Sequence, residues 1–325
     1  MIIASTPLRI SFFGGGSDLP AFTQREIGAA LSVTIDKYVH VIYKPGKQPL
    51  RFIHEDITDM DSMRNPIAKA FFEMQEVSYG DVISLSDVPC IGSGLGGSSA
   101  FCISLLREFN EQGISPRAAA RMACEIEIDK CGYPIGIQDQ YAIARGGMNL
   151  LTFHADPRDA LVTSSVNLRA PDIQLLEKRL LLVYSGMART GSAGTILQQQ
   201  QQEMMGEEKF QLVKRIRDRA YQSLELLNKG KLHEFGELLH DNWMDKKSLS
   251  TSLSNNRFDS MYEFGLAHGA LGGKLLGAGG GGFFLFYCPS YEVRDNLARH
   301  IVLEFDKSDV FPFKFTETST RITRT

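Results

Sequence analysis

The segment Pro89–Ala100, PCIGSGLGGSSA, concentrates the residues best suited to hold a phosphate chain. It contains four glycines and three serines, and no charged residue follows before Arg107. Glycines can turn several backbone N–H groups toward one concavity, and a following helix adds its free N–H groups and the positive end of its dipole. The segment therefore predicts a polyphosphate site rather than a flexible loop or a tight helix–strand contact.

Two familiar phosphate motifs can be compared with this segment. A Walker A loop is excluded because no lysine follows the glycines. The dinucleotide pattern GxGxxG matches at Gly92, Gly94 and Gly97, but it requires an acidic residue about 20 positions later, at the end of a second strand. The acidic residue nearest to that position, Glu111, follows a helical stretch. An NAD-dependent oxidoreductase is therefore kept as a minor alternative.

A second glycine loop, GAGGGG over residues 277–282, precedes the apolar run FFLFY. Four successive glycines are costly in chain entropy, and a simple turn needs only one or two. Such a run suits a place where another backbone or a ligand approaches closely. We expect a functional loop here, with Gly279 and Gly280 next to the substrate.

Three carboxylates are candidates for chemistry. In the predicted helix 116–131, Glu127 lies on a stripe of small apolar residues, which fits either a Mg²⁺ ligand or fixed ion pair, or a surface position. Asp139, in GIQDQY, is either a helix cap or a functional group. Asp18 follows three glycines and a serine, a pattern that is also common turn chemistry.

The chain that must position these residues has 325 residues, 43% of them hydrophobic, and a net charge of −3. This composition predicts a globular protein of about two domains and excludes a general nucleic-acid binder. No apolar run approaches 18 residues, so no membrane span is expected, and no signal peptide is apparent. The five cysteines form no CxxC pair, which predicts reduced thiols and a cytoplasmic protein.

The order of apolar runs predicts an α+β protein with two domains, at residues 1–178 and 179–325. The first is rich in strands, and its Ser115-Pro116 pair predicts a helix start. The second begins with helices over 196–245 and ends with the glycine loop 277–282, a helix near 291–305 and a strand near 309–316. Nothing in the sequence indicates the oligomeric state.

Three blocks together resemble the superfamily of galactokinase, homoserine kinase, mevalonate kinase and phosphomevalonate kinase (GHMP kinases). They are TPLRISFFGGGSD (6–18), PCIGSGLGGSSA (89–100) and KLLGAGGGGFF (274–284). The resemblance implies a ribosomal-S5-like first domain, a ferredoxin-like second domain, and ATP with Mg²⁺ in the cleft between them. Three stretches, RISFFGGGSDLPAF, GIQDQYA and LLHDNWMDKKSLS, look most like kinases that phosphorylate C1 of D-glycero-D-manno-heptose 7-phosphate.

The resemblance also implies roles for single residues. Asp139 is the catalytic aspartate, Arg9 lies near it and near the transferring phosphate, and Mg²⁺ is held by Ser98 and Glu127, with Ser99 possible in place of Ser98. The residues expected to hold the ATP phosphates are Gly92, Gly94, Leu95, Gly96, Gly97, Ser98 and Ser99.

On the sugar side, Asp18 is expected to bind hydroxyls. Gly15 and Gly16 stand where galactokinases have Glu-His, which leaves room for a bulkier or phosphorylated sugar. Arg189 is the first candidate for holding the phosphate of the sugar, and Lys246 and Lys247 are weaker ones. The alternatives are another sugar-1-kinase with a fucose-like or galactose-like substrate, or a sensor of ATP and sugar without turnover.

Overall fold

The computed structural model describes residues 1–52, 63–89, 92–110, 113–155, 160–166, 168–188, 193–204, 206–250 and 253–325. Its strands are β1 Ile2–Phe13, β2 Gly28–Pro49, β3 Arg51–Phe52, β4 Tyr79–Ser86, β5 Met148–Phe153, β6 Ala160–Ser165, β7 Leu180–Tyr184, β8 Gly272–Leu275, β9 Phe283–Tyr287, β10 Asp309–Val310 and β11 Arg321–Arg324. Its helices are α1 Pro20–Thr23, α2 Pro66–Gln75, α3 Gly97–Glu108, α4 Pro116–Cys124, α5 Gln138–Arg145, α6 Ala170–Arg179, α7 Ala193–Glu203, α8 Glu207–Asn228, α9 Leu232–Lys247, α10 Asn256–Ala267 and α11 Tyr291–Glu304.

Two sheets organise these elements. In the described part of the chain the first sheet has seven strands, built around β2, whose first half pairs with β5 and whose second half pairs with β4. The second sheet has four, in the order β10-β7-β9-β8. Apart from the short β3–β4 pair, the strand pairs are antiparallel. A dinucleotide-binding fold needs a parallel sheet, so this topology does not support the oxidoreductase alternative.

Local signals in the sequence begin several of the helices. The Ser115 hydroxyl accepts a hydrogen bond from the amide of Ala118, and Pro116 occupies the first turn of α4, which confirms the predicted start. Asn65 caps α2 in the same way. The predicted helix 116–131 differs in one respect: after Cys124 the chain winds as a π-helix over Glu125–Lys130.

The end of the chain departs from the sequence pattern. The predicted strand near 309–316 is reduced to the two-residue β10, and Phe315 forms an isolated bridge with Ile35 of β2. The polar segment after it forms β11, which pairs antiparallel with β1 in the first sheet. β11 pairs there because the edge of β1 that faces away from β2 offers free backbone groups. The sequence of β11 shows no alternation of apolar and polar residues that would have predicted a strand. The boundary at 178 stays a proposal.

The two glycine loops touch each other through their backbones. A Cβ atom on Gly94 would lie 2.4 Å from the carbonyl oxygen of Leu276, and one on Gly277 would lie 2.5 Å from Cα of Gly94. Next to this contact, the amide of Phe283, which follows the second glycine loop, donates to the carbonyl of Ser93 at 3.1 Å. The second glycine loop therefore meets another backbone. Close approach of a backbone was one of the two explanations, with close approach of a ligand, that its four successive glycines suggested.

This contact predicts that Gly94→Ala is more destabilising than the loss of a left-handed glycine alone. Gly230 is the matched control, because its φ is +67° against +78° at Gly94 and a Cβ there would meet nothing within 4 Å. We expect Gly230→Ala to lower the free energy of unfolding by about 1–2 kcal/mol. Gly94→Ala should lower it by about 1–3 kcal/mol more, because of the overlap. Urea denaturation measures both, and equal losses would contradict the close contact.

Candidate active site

A cavity of about 860 Å³ is lined by residues from both halves of the chain. Its walls include the end of β1, the loop after it, the loop before α3 and the segment that leads into α5. The second half contributes side chains from α9 and β8 and the start of the second glycine loop. The predicted residues that line it are Arg9, Gly15, Gly16, Asp18, Gly92, Gly94, Gly96, Gly97, Ser98, Ser99, Asp139 and Lys246.

The loop before α3 has the backbone that a phosphate cradle needs. Gly92, Gly94 and Gly96 all have φ between +67° and +79°, a left-handed conformation that favours glycine. Gly96 directly precedes the first turn of α3, whose free N–H groups stand at the cavity wall. Leu95 differs from its neighbours because its side chain is fully buried in the core, so only its backbone can take part.

Arg9 and Asp139 form an ion pair in the cavity wall. The guanidinium Nε and one terminal nitrogen donate to the two carboxylate oxygens at 2.8 and 2.7 Å, and the other nitrogen donates to the carbonyl of Gly94 at 2.6 Å. The Arg9 side chain is 4% exposed, whereas that of Asp139 is 31% exposed. The arginine is therefore fixed in place while the carboxylate stays open to the cavity.

Glu127 is completely buried next to the start of α3. Its Oε2 accepts hydrogen bonds from the Ser99 hydroxyl at 2.8 Å and from the Gln140 amide at 2.7 Å. Burial raises the pKa of Glu127 to about 7, although these hydrogen bonds act against the rise. It is buried like Ala120 and Cys124 of the predicted stripe, although it lies on the π-helical segment.

The donor set around Glu127 fits a divalent cation. Its Oε1 is buried and has no hydrogen-bond partner among the described residues. Ser98, one residue before Ser99, is exposed at the cavity wall. A carboxylate oxygen and a serine hydroxyl are hard oxygen ligands of the kind that Mg²⁺ takes together with nucleotide phosphates.

Asp18 lies across the same cavity, and its pKa is also raised. Its carboxylate accepts hydrogen bonds from the amides of Gln138 at 3.1 Å and Gly16 at 3.3 Å. Burial raises the pKa of Asp18 to about 6, and the negative charge of Asp139 adds to the rise. Gly136 makes room for it, since a Cβ there would lie 1.9 Å from the carboxylate.

Some predicted residues lie elsewhere. Gly279 and Gly280 pack against Leu253, to whose carbonyl the Gly280 amide donates at 3.2 Å, and they are not part of the described cavity wall. Their assignment to the substrate stays a prediction. Lys247 pairs with Asp259 at 2.6 Å. Arg189 lies outside the described residues.

Two residues at the site were missed by the sequence analysis. Lys274 lines the cavity from β8, and Gln138 donates to the hydroxyls of Ser11 and Ser32 beneath it. Lys274 had a signal: it is a single charged residue within the apolar and glycine-rich stretch GGKLLGAGGGG. Gln138 had none, because its partners lie more than 100 positions away.

Comparison with known proteins agrees with this architecture. Residues 65–147 match the family described as GHMP kinases N terminal domain, and residues 223–306 match GHMP kinases C terminal. Together the two matches cover just over half of the chain. No helix in the described ranges is long and apolar enough to cross a membrane.

Individual relatives cover most of the chain. D-glycero-alpha-D-manno-heptose 7-phosphate kinase of Campylobacter jejuni is 28% identical over 88% of this chain and 89% of its own length. The bifunctional fucokinase/GDP-fucose pyrophosphorylase of Arabidopsis thaliana is 26% identical over 92% of this chain, but that match spans only 31% of its own length.

A solved structure shows the same fold. The crystal structure of a D-glycero-D-manno-heptose 1-phosphate kinase from Bacteroides thetaiotaomicron superposes with a TM-score of 0.79 at 20% identity, covering 100% of this chain and 99% of that one. The α+β fold with two domains expected from the sequence is confirmed.

The environment of Asp18 predicts a specific pH dependence of stability. A carboxyl whose pKa is about 6 when folded, against 3.8 ordinarily, binds its proton more tightly in the folded chain. Its stabilising contribution is therefore complete below pH 4 and is lost as the pH rises through 6. As the pH rises from 4 to 7, the free energy of unfolding of Asp18→Asn should increase by about 1–3 kcal/mol relative to that of the native chain.

The measurement is urea denaturation of both proteins across this pH range. A constant offset from altered hydrogen bonding does not matter, because the readout is the change with pH. Asp172→Asn, which removes a surface partner of Arg169, is the control and should show no drift in favour of the variant. If the free energies of unfolding of Asp18→Asn and of the native chain change in parallel with pH, the pKa of Asp18 is not raised in the folded chain.

Proposed function

Because this chain belongs to the GHMP kinase family, we propose that it transfers the γ-phosphate of ATP to the C1 hydroxyl of D-glycero-D-manno-heptose 7-phosphate, giving the 1,7-bisphosphate. The chain is a sugar kinase of this family, whose phosphate donor is ATP. The observation that carries the proposal is the placement of the Arg9–Asp139 pair beside the phosphate loop in one cavity. The heptose 7-phosphate kinase among its relatives supports the choice of sugar.

The phosphate loop and α3 would bind the triphosphate. The left-handed glycines allow the loop to turn backbone N–H groups toward the triphosphate, and the start of α3 adds its dipole. Ser98 and Glu127 are the residues that would hold Mg²⁺. When bound, the cation would neutralise charge on the phosphate oxygens.

Asp139 and Arg9 would act on the reacting groups. Phosphoryl transfer passes through a loose transition state, so positioning and charge stabilisation dominate. The exposed carboxylate of Asp139 orients the attacking hydroxyl and accepts its proton. Arg9 holds that carboxylate in place, and it also donates to the carbonyl of Gly94 in the phosphate loop.

The sugar would occupy the part of the cavity next to Asp18, Gly15 and Gly16. A Cβ on either glycine would meet nothing within 4 Å, so the loop leaves open space that larger residues would fill. This supports a sugar with substituents beyond those of galactose. Asp18 can accept hydrogen bonds from sugar hydroxyls when ionised and can donate one when protonated.

A second candidate is a sugar-1-kinase for an unphosphorylated sugar. The match to the Arabidopsis fucokinase over 92% of this chain favours it. The two candidates share the residues around Asp139 and differ only in what binds the far end of the sugar.

Asp139→Asn should lower turnover by roughly 10²–10⁴-fold, because it removes the charge that accepts the hydroxyl proton while keeping the volume. ATP binding should persist, since the carboxylate of Asp139 pairs with Arg9, whereas the phosphates would bind the loop before α3 and the start of that helix. Release of ADP measures turnover, and calorimetry measures binding. Asp172→Asn removes an aspartate that pairs with arginine on the surface and should leave turnover unchanged. Turnover of Asp139→Asn within twofold of the native chain would contradict the role.

The substrate is tested by comparing kcat/KM for heptose 7-phosphate, unphosphorylated heptose, mannose, fucose and galactose with ATP and Mg²⁺. We expect heptose 7-phosphate to exceed every other sugar by at least tenfold. Phosphorus NMR of the product should show a new phosphate coupled to the anomeric proton. A tenfold preference for an unphosphorylated sugar would establish the second candidate, and ATP binding without turnover on any sugar would indicate a sensor.

A further inference from the structure

The side chain of Gln140 is completely buried, and it is not part of the described cavity wall. It lies in the first turn of α5, directly after Asp139, whose carboxylate is open to the cavity. Its amide nitrogen donates to Oε2 of Glu127 at 2.7 Å. Because an ionised carboxylate only accepts hydrogen bonds, this contact fixes which end of the amide faces Glu127. Gln140 therefore reaches the site through Glu127 rather than by touching a ligand.

The carbonyl end of the same amide is unpaired. This oxygen of Gln140 is buried and has no hydrogen-bond partner among the described residues. Leaving a buried polar atom unpaired costs about 1–3 kcal/mol, and an apolar side chain of the same length would avoid that cost. A glutamine at this position is therefore explained by what its N–H does for Glu127, and not by packing.

Glu127 is held by only one of its two carboxylate oxygens. Ser99, in the first turn of α3, donates to the same Oε2 at 2.8 Å, so donors from two helices fix that oxygen. Oε1 has no hydrogen-bond partner within the part of the chain that the structure describes. Hydrogen bonds to a ligating carboxylate orient it toward its metal, and an oxygen left without a donor is the one available to a cation.

We propose that Gln140 is a positioning residue for the divalent cation: its N–H holds Glu127 so that Oε1 is the oxygen directed to the metal. The inference rests on the role of Glu127 in the function proposed above. It adds that two consecutive residues of α5 serve the two reacting groups. Asp139 acts on the attacking hydroxyl, and Gln140 acts, through Glu127, on the cation at the phosphate oxygens.

Gln140→Met is the main variant, because it keeps the length of the side chain and removes the N–H. Calorimetry measures the affinity for the β,γ-imido analogue of ATP, which is not hydrolysed, once with saturating Mg²⁺ and once with EDTA. We expect the affinity with Mg²⁺ to fall by about tenfold or more, the scale of losing a hydrogen bond to a metal ligand. The affinity with EDTA should change less than about twofold, because the partner of Gln140 acts on the cation and not on the phosphates.

Gln211→Met is the matched control. The amide nitrogen of Gln211, on α8, makes the same kind of bond, to Oε1 of Glu207 at 2.6 Å, but on the surface and outside the described cavity wall. This variant should bind the analogue like the native chain under both conditions. An equal loss in Gln211→Met would overturn the proposal, and so would native affinity with Mg²⁺ in Gln140→Met. Equal losses with Mg²⁺ and with EDTA in Gln140→Met would show a structural role only.

Glu127→Gln separates this inference from the proposed function. If Glu127→Gln loses the effect of Mg²⁺ and Gln140→Met keeps it, only the inference fails. If the native chain binds the analogue equally with Mg²⁺ and with EDTA, the cation role of both residues fails. Absence of turnover on every sugar, with the selective loss present, contradicts the kinase proposal and leaves the inference standing. Gln140→Asn, whose amide is one methylene too short to reach Glu127, should reproduce the loss and decides the matter if Gln140→Met does not fold.

Discussion

The buried guanidinium of Arg9 is the interaction on which the rest of the site depends. It lies on β1, and it donates to both oxygens of Asp139 on α5 and to the carbonyl of Gly94 in the loop before α3. The amide of Arg9 also donates to the carbonyl of Leu95. Removing one partner of a buried ion pair leaves an uncompensated charge at a cost of several kcal/mol. The strand, the loop and the helix are therefore held in a single arrangement.

The second half of the molecule reaches this arrangement through close backbone contact and packing. Gly277 meets Gly94 at a distance that no side chain would allow, and Lys274 donates to two carbonyls at the end of β1. Phe235 of α9 packs edge-on against Phe12 and Phe13 at 5.4 and 5.2 Å between ring centres. Both halves thus build one cavity, and residues from each half line it.

The backbone conformation of the loop before α3 could be predicted from sequence because its signal is local. Alternating glycines followed by a helix define a conformation within about ten residues, and the structure has left-handed backbone at Gly92, Gly94 and Gly96. Glu127 could not be decided in the same way. The helical wheel placed it on a stripe of small residues that is buried in the structure, but its role depends on partners from other elements. These are Ser99 of α3 and Gln140 of α5, which no local pattern identifies.

The sequence by itself determined the helix starts, the turns and the two glycine loops, because each depends on the dihedral preferences and hydrogen bonds of neighbouring residues. Only the tertiary structure decided which of these meet. Arg9 and Asp139 are 130 positions apart, and Lys274 lies 263 positions from Ser11. Ile2 and Arg324, which pair between β1 and β11, are still farther apart in the sequence. Such contacts are chosen by how the sheets and helices bury their apolar faces together, and no local pattern in the chain encodes that choice.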